Sequence, residues 1–365
     1  MRRMEIGSFY EQEDVHRKWF QDGVGNAESK KTFLSFLNEK SIDLSFFNAG
    51  RSALRAVLEH IERKCRNKVC LLPAYLCNSM ILPFELQKWD CFFYTIDERL
   101  RPNIESISSL INSVNPSVIV LLPYYGEDTV SVVNDSLAEW RNRGGIIIED
   151  LTQSLFLYDA HSSMYDYQII SIRKWLPIPD GAVAVGLKDR VNRSYDNDFV
   201  YLEREAQKLK ERYLSGDDIC KDVFLKMHRQ AGEILSSSTE IYGMSIDSYN
   251  TMTVCDTISI ENKRRRNISI LKSSLKSEKI KPLIKDYSSL NAGIYFPVIV
   301  NNRSELQSYC QKKNVFCPVL WPKPQAVKLS DSVLDLLYDK VLCVPCDSRY
   351  GADEMEYVVK ILNEY

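Results

Sequence analysis

An acid and an amine close two neighbouring apolar segments of this sequence. Asp150 and Gln153 follow one apolar run, and Ser171 and Lys174 follow the next. Each run is typical of a buried strand, and ligands of open α/β sheets bind where parallel strands end. An amine and a carboxylate together are what pyridoxal phosphate requires, one to form the Schiff base and one to keep the pyridine nitrogen protonated. Taken alone, Asp150 could equally cap a turn and Lys174 could be solvated.

The order D-x-x-Q and then S-x-x-K resembles the aspartate-aminotransferase-like enzymes of fold type I. It is most similar to the sugar aminotransferases of the DegT/DnrJ/EryC1/StrS group. The resemblance implies that Lys174 binds the cofactor covalently and moves the substrate proton, and that Asp150 pairs with the pyridine nitrogen. It also implies that Gln153 contacts the phenolic oxygen or supports the ring, and that Ser171 donates to the phosphate.

A glycine turn before a helix supplies the expected anion site. Gly50, Arg51 and Ser52 follow a short apolar strand and begin a helix. Backbone N–H groups at a helix N-terminus, with a hydroxyl and an arginine beside them, bind anions, although Ser52 could simply cap the helix. The stretch resembles the G-[TSR]-[SA]-A-L segment that holds the cofactor phosphate in the DegT/DnrJ/EryC1/StrS group. These three residues are therefore phosphate-site candidates.

Three further residues are site candidates through the same resemblance. Tyr75, just past a strand end, resembles the aromatic that stacks on the cofactor ring, the alternative being a core tyrosine. Asn250 matches part of the G-[YF]-N-x-[RK]-[ML] segment that reaches the neighbouring subunit's phosphate. Arg349 lies in the segment Leu342–Gly351, which resembles a C-terminal segment of some members of the group, and it meets either a substrate anion or Asp347.

The segment after Lys174 departs from the group. Sugar aminotransferases usually show a run of small residues ending in G-E-G-G, whereas this chain has Pro177, Ile178, Pro179, Asp180, Gly181 and Ala182. Asp180 and Gly181 keep a turn, but the loop expected to meet the substrate is altered. The departure leaves the cofactor chemistry intact and opens the question of the substrate.

Composition excludes several classes of protein. The chain of 365 residues has a formal net charge of −2 and no basic stripe, so no nucleic-acid partner is expected. No apolar run approaches the roughly 20 residues of a membrane span, and no secretory signal follows the first residues. The ten cysteines form only one C-x-x-C pair, at Cys343 and Cys346, and the histidines are scattered. We therefore predict free thiols, no metal site and a cytoplasmic location.

Strand and helix signals alternate between about residues 45 and 186, which predicts a mostly parallel sheet covered by helices on both faces. A chain of this length is expected to divide into a larger and a smaller unit. We predict an N-terminal arm over residues 1–45, a large α/β cofactor-binding domain over 46–255 and a small C-terminal α/β domain over 256–365. Helices are expected at Ser52–Cys65, Asp198–Leu214, Lys221–Leu235 and Thr257–Leu275, among others.

Together, the resemblance implies an aminotransferase that is a homodimer with active sites shared between subunits. Its expected substrates are an amino acid, such as glutamate, as donor and a keto-sugar nucleotide as acceptor. Two other readings stay open: a lyase or an aminotransferase of a non-sugar substrate, and a non-catalytic relic of the fold. A relic has no chemical reason to keep Asp150, Gln153, Ser171 and Lys174 together.

Overall fold

A computed structural model describes residues 3–12, 31–38, 43–158, 164–188, 197–288 and 291–365. Within these residues the chain forms twelve strands and twelve α-helices. The strands are β1 Ile6–Gly7, β2 Leu44–Phe47, β3 Val69–Pro73, β4 Asp90–Tyr94, β5 Val118–Leu121, β6 Ile146–Asp150, β7 Tyr167–Ile170, β8 Ala182–Val185, β9 Ile280–Pro282, β10 Tyr295–Val300, β11 Val315–Phe316 and β12 Val341–Pro345.

The helices surround these strands and alternate with them along the chain. They are α1 Phe33–Asn38, α2 Gly50–Ile61, α3 Asn78–Leu86, α4 Ile104–Val114, α5 Asn134–Asn142, α6 Asp198–Ser215, α7 Lys221–Ser237, α8 Ile246–Val254, α9 Thr257–Ser274, α10 Arg303–Lys312, α11 Ser332–Lys340 and α12 Ala352–Glu364. None of the helices in the described ranges is long and apolar enough to cross a membrane.

A seven-stranded sheet of order β2-β8-β7-β6-β5-β3-β4 forms the centre of the molecule. The strands from β7 through β4 pair in parallel, while β8 and β2 join one edge antiparallel. All four residues of β5 are buried, as expected for a strand with helices over both faces. The predicted mostly parallel α/β sheet is confirmed.

Helix α2 covers this sheet with the face that its sequence period predicts. Leu54, Val57, Leu58 and Ile61 recur at helical spacing and are all buried. The helix ends at Ile61, earlier than the predicted Cys65. Helix α3 was not predicted from the sequence, where Pro83 interrupts the pattern by removing a backbone donor from the helix interior.

A second, three-stranded antiparallel sheet of order β12-β10-β9 lies in the last part of the chain. It packs with α9 and α12 around a separate apolar cluster. The seven-stranded sheet spans residues 44–185, close to the predicted large domain, and the three-stranded sheet lies inside the predicted small one. The boundaries at 45/46 and 255/256 themselves remain predictions.

The described part of the predicted N-terminal arm runs along both units. Strand β1 pairs in parallel with β11, and the Arg3 amide donates to the carbonyl of Leu214 at the end of α6. Helix α1 contacts α8. Residues 13–30 and 39–42 of the arm lie outside the described residues.

Candidate active site

The four residues of the two-strand motif come from adjacent parallel strands. Asp150 ends β6 opposite Ile169 of β7, so the segments that follow both strands leave the sheet at the same edge. A 3₁₀ turn, Leu151–Gln153, follows β6, and Ser171 leads into a second one, Ile172–Lys174. The Ser171 amide donates to Thr152 Oγ1 at 3.1 Å, which ties the two turns together.

A narrow pocket of about 60 Å³ opens between these turns and the N-termini of α2 and α3. It brings together Asp150, Ser171 and Lys174 with Gly50 and Arg51. Other polar residues that line it are Cys77, Ser79, Thr152 and Arg173. Three cations therefore face one carboxylate, so the pocket carries a net positive charge suited to an anion.

Burial lowers the pKa of the Lys174 amine below its ordinary value. The Lys174 side chain is exposed to the pocket and the adjoining space, while the protein atoms around it still penalise the charged form. Cys77 and Asp150 act in the opposite direction, while Arg173 adds to the lowering. A lysine shifted this way has a larger neutral fraction near pH 7, and the neutral amine is the nucleophile and base.

Asp150 shows the complementary shift. Burial raises the pKa of its carboxyl group, although a hydrogen bond from Thr152 and the charge of Lys174 both oppose this. The Thr152 amide donates to Asp150 Oδ1 at 2.8 Å, which fixes the carboxylate against the turn. A half-buried carboxylate whose charged form is penalised in this way gains stability from a cation placed beside it. A protonated pyridine nitrogen is such a cation.

The predicted phosphate site is partly assembled. Helix α2 begins at Gly50 with no side-chain cap from Ala49, and both Gly50 and Arg51 line the pocket. Burial and the neighbouring Arg173 lower the pKa of Arg51, so an anion beside Arg51 would stabilise its charged form. Ser52 instead donates to Asn48 Oδ1 at 2.7 Å and is not part of the pocket lining.

Gln153 is buried beneath this edge of the sheet and is not part of the pocket lining. Its Oε1 accepts from the Tyr125 amide at 3.1 Å, and its Nε2 has no hydrogen-bond partner among the described residues. An unpaired buried amide donor costs roughly 1–3 kcal/mol. Such an orphaned donor fits a side chain that completes its hydrogen bonds only when an acceptor from a cofactor is present.

Two of the remaining candidates lie away from the pocket. Tyr75 is a buried core residue whose ring packs against Trp321 and Tyr338, at centroid distances of 4.9 and 5.1 Å. Its hydroxyl lies 3.0 Å from that of Tyr125. Cys77, two residues later, lines the pocket instead. Asn250 lies on an exposed face of α8.

Arg349 lies in a buried ion network and lines neither this pocket nor the neighbouring cleft described below. Its Nε and Nη2 donate to the two oxygens of Asp347 at 2.8 and 2.9 Å, and its Nη1 donates to Glu11 at 2.9 Å. Of the two alternatives left open by the sequence, the structure shows the pairing with Asp347.

Arg173 and Cys77 line the pocket although the sequence did not single them out. Arg173 directly precedes Lys174, and Cys77 precedes the first residue of α3 just beyond the end of β3. The sequence signal for Arg173 was its position beside Lys174. The sequence signal for Cys77 was its position at a strand-to-helix turn.

The loop after Lys174 is anchored by its acid. Asp180 is buried and accepts from the Ser245 amide at 2.8 Å and from the Ser245 hydroxyl at 2.6 Å, and Ser248 Oγ donates to the same carboxylate. Gly181 has φ +143°, and a Cβ there would come 2.9 Å from the Met244 side chain. The altered loop is therefore held tightly against the start of α8.

These residues fit pyridoxal phosphate in their chemistry. Lys174 supplies the amine and Asp150 supplies the acid. An anion site is formed by Gly50, Arg51 and Ser171. The side-chain amide of Gln153 has a donor without a hydrogen-bond partner among the described residues. When bound, the cofactor supplies an electron sink for the carbanion formed beside the substrate nitrogen.

The architecture is that of a fold type I transferase. Solved structures with this fold include a DegT/DnrJ/EryC1/StrS aminotransferase from Brucella abortus, at 12% identity and a TM-score of 0.59, covering 97% of this chain and 91% of that one. The sugar aminotransferase CalS13 from Micromonospora echinospora matches at 14% identity and a TM-score of 0.64, covering 100% of both chains. NtdA from Bacillus subtilis, solved with its bound cofactor PMP, matches at 12% and 0.63, covering 92% and 77%.

The likeness confirms, at the level of the fold, the resemblance to the DegT/DnrJ/EryC1/StrS aminotransferases. No family model matches the sequence, and no curated protein is detectably similar to it.

Proposed function

We propose that this chain is a pyridoxal-phosphate-dependent aminotransferase. Its donor is an amino acid, glutamate in the first instance, and its acceptor is a keto-sugar nucleotide used in glycan or polysaccharide biosynthesis. The observation that carries the proposal is the meeting of Lys174 and Asp150 in one pocket beside the uncapped start of α2. The shared fold with sugar aminotransferases supports it.

Each residue has a role that follows from its surroundings. Lys174, with its lowered pKa, would hold the cofactor through its amine and would accept and return the proton at the substrate's reacting carbon. Asp150 holds a proton on the ring nitrogen. Gly50, Arg51 and Ser171 bind the phosphate and so fix the register of the ring against both groups. Gln153 donates to the phenolic oxygen.

An absorbance spectrum tests the proposal. The purified protein, loaded with pyridoxal phosphate, should be yellow and should lose this colour when L-glutamate is added, with release of one equivalent of 2-oxo acid. Lys174→Ala should show neither the lysine-bound colour nor turnover. Lys208→Ala, which removes an exposed lysine paired with Glu205 on α6, is the matched control and should behave as wild type.

The outcome also separates the alternatives. A colourless protein with no affinity for the cofactor would indicate a relic. A coloured protein that eliminates or decarboxylates its substrate without 2-oxo-acid release would indicate a lyase. A coloured protein that reacts with glutamate but transfers to no keto-sugar nucleotide would indicate a non-sugar acceptor.

We further propose that the enzyme is a homodimer in which Asn250 completes the partner's phosphate site. The exposed position of Asn250 on α8 supports this, because within its own chain the residue does not line the pocket. Mixing Lys174→Ala with Asn250→Ala protein should give hybrid dimers with one intact site and activity above either parent. Two controls are needed: subunit exchange must be verified, and Asn250→Ala alone must be impaired. If both hold and no activity returns in the mixture, Asn250 does not act across the dimer.

A further inference from the structure

A cleft of about 480 Å³ adjoins the pocket and shares Arg173 and Lys174 with it. Helices α6 and α7 form one wall, from which Glu203 and His228 face the cleft, and residues of the small sheet's unit form the other. The cleft gives a substrate access to Lys174. Its polar groups therefore decide which substrate is held there.

Glu203 lies between His228, on the same wall, and Arg173, which lines the pocket. Its carboxylate is only 4% exposed, and its Oε2 lies 2.8 Å from His228 Nδ1. The ring of Phe9 stacks on His228 at a centroid distance of 4.2 Å and an angle of 13°, which fixes the imidazole plane. The other oxygen, Oε1, faces Arg173 Nη1 at 3.9 Å.

Arg173 is anchored at its backbone but has unused donors on its side chain. Its amide donates to the Gly181 carbonyl at 3.1 Å, which fixes the backbone of Arg173 against the loop that follows Lys174. The 3.9 Å distance to Glu203 is too long for a hydrogen bond. Its buried Nε has no hydrogen-bond partner in the described ranges. A guanidinium whose N–H groups are not hydrogen-bonded is suited to bind a carboxylate.

We propose, resting on the aminotransferase function above, that Arg173 binds the α-carboxylate of the amino-acid donor and that Glu203 replaces this carboxylate when the acceptor is bound. The donor's carboxylate is attached to the carbon that carries its amine. It must therefore lie close to Lys174, where Arg173 is the adjacent cation that lines both the pocket and the cleft.

Glu203 solves a problem that two substrates in one site create. The donor brings an α-carboxylate and a keto-sugar acceptor does not, so Arg173 alone would be left as an uncompensated cation in half of the cycle. Glu203 supplies the counter-charge in that half. When the donor returns, His228 keeps Glu203 hydrogen-bonded at 2.8 Å while Arg173 turns to the substrate.

The proposal predicts affinity changes of opposite sign in two variants. The ligands are 2-methylglutamate, which has no α-hydrogen and binds without turnover, and 4-amino-4-methylpentanoate, in which a methyl group replaces the α-carboxylate and the amine-bearing carbon again carries no hydrogen. Their dissociation constants are measured by calorimetry on the cofactor-loaded enzyme. Arg173→Gln should weaken binding of 2-methylglutamate at least about tenfold, as expected for the loss of a charged hydrogen bond, and should leave binding of 4-amino-4-methylpentanoate unchanged. Glu203→Gln should tighten 2-methylglutamate several-fold, because the internal competitor is removed.

Arg204→Gln on the same helix, which removes a surface pair with Asp247, is the matched control and should change neither constant. The inference is overturned if wild type does not prefer 2-methylglutamate or if Glu203→Gln weakens it, as a purely structural carboxylate would. It is also overturned if Arg173→Gln lowers cofactor affinity instead, which would assign Arg173 to the phosphate. The spectrum with L-glutamate judges the proposed function separately, since these constants require no amino transfer.

Discussion

Two arginines in this protein have opposite surroundings. Arg349 is 5% exposed and spends its guanidinium donors on Asp347, Glu11 and the carbonyls of Ser8 and Phe9. Arg173 is 25% exposed, faces one carboxylate at 3.9 Å and has an unpaired Nε. The sequence predicted Arg349 as the substrate-binding arginine and gave no such prediction for Arg173.

The difference teaches where ligand binding is to be sought. A ligand that recruited Arg349 would first have to break charge-assisted hydrogen bonds and leave buried carboxylates unpaired, which costs several kcal/mol. A ligand that recruits Arg173 breaks no hydrogen bond of its side chain. The C-terminal network therefore holds the structure together, while the pocket keeps polar groups unsatisfied for a ligand.

The sharpest break of this comparison is Arg349→Gln. We expect a loss of about 3–5 kcal/mol in the free energy of unfolding, because Asp347 is left as a buried charge without its partner. Guanidinium unfolding measures the loss, and cofactor affinity of the remaining folded protein should not change. Arg173→Gln is the mirror control and should lose less than about 1 kcal/mol of stability. Unchanged stability with weaker substrate binding in Arg349→Gln would restore the original prediction.

On the pocket side, Asp150→Asn should act on rate instead of stability. Its charge matters most where the carbanion develops, so we expect kcat to fall by a factor of roughly 10²–10³, the size of comparable electrostatic losses. Removing a carboxylate whose pKa burial already raises should not destabilise the fold. Parallel measurement of kcat and of cofactor dissociation decides the matter. An equal loss in both would mean that Asp150 only helps binding.

The network should also show a specific acid sensitivity. Although burial acts to raise the pKa of Glu11, Arg349 and Lys210 lower it from 4.5 to about 2. The folded-state pKa lies below the unfolded one, so this stabilisation is full above about pH 4.5 and is lost as pH falls toward 2. A shift of this size corresponds to roughly 3 kcal/mol. Unfolding free energies between about pH 5 and 3 should fall less steeply for Glu11→Gln than for wild type.

Much of the fold could be predicted from periodicity. Helices α6, α7 and α9 begin at Asp198, Lys221 and Thr257, where the sequence placed them. The apolar runs and polar ends of β6 and β7 also placed Asp150, Ser171 and Lys174 at one edge, because strand direction follows from the alternation of elements. All three residues line the pocket, and their roles there remain predictions.

The rest depends on which way side chains turn after a strand ends. Beyond β3, Tyr75 and Cys77 are two residues apart, and only the tertiary structure decides that the tyrosine enters the core and the cysteine the pocket. The pairing of Arg349 with Glu11 joins residues 338 positions apart, which no local pattern reports. Nor does any pattern bring His228 of α7 to Glu203 of α6.

Tyr75 provides the smallest and most local test of this division. Its hydroxyl meets that of Tyr125 at 3.0 Å inside an aromatic cluster, so Tyr75→Phe should lower the free energy of unfolding by about 1 kcal/mol, the net value of a buried hydrogen bond. Cofactor affinity should not change.

Cys77→Ala, in the pocket lining, should show the reverse: little loss of stability and an altered absorbance of the bound cofactor. Tyr75→Leu completes the test by removing the ring. If it abolishes cofactor affinity while the protein stays folded, the tyrosine stacks on the cofactor as the sequence resemblance implied, and the boundary between core and pocket must be redrawn at this turn.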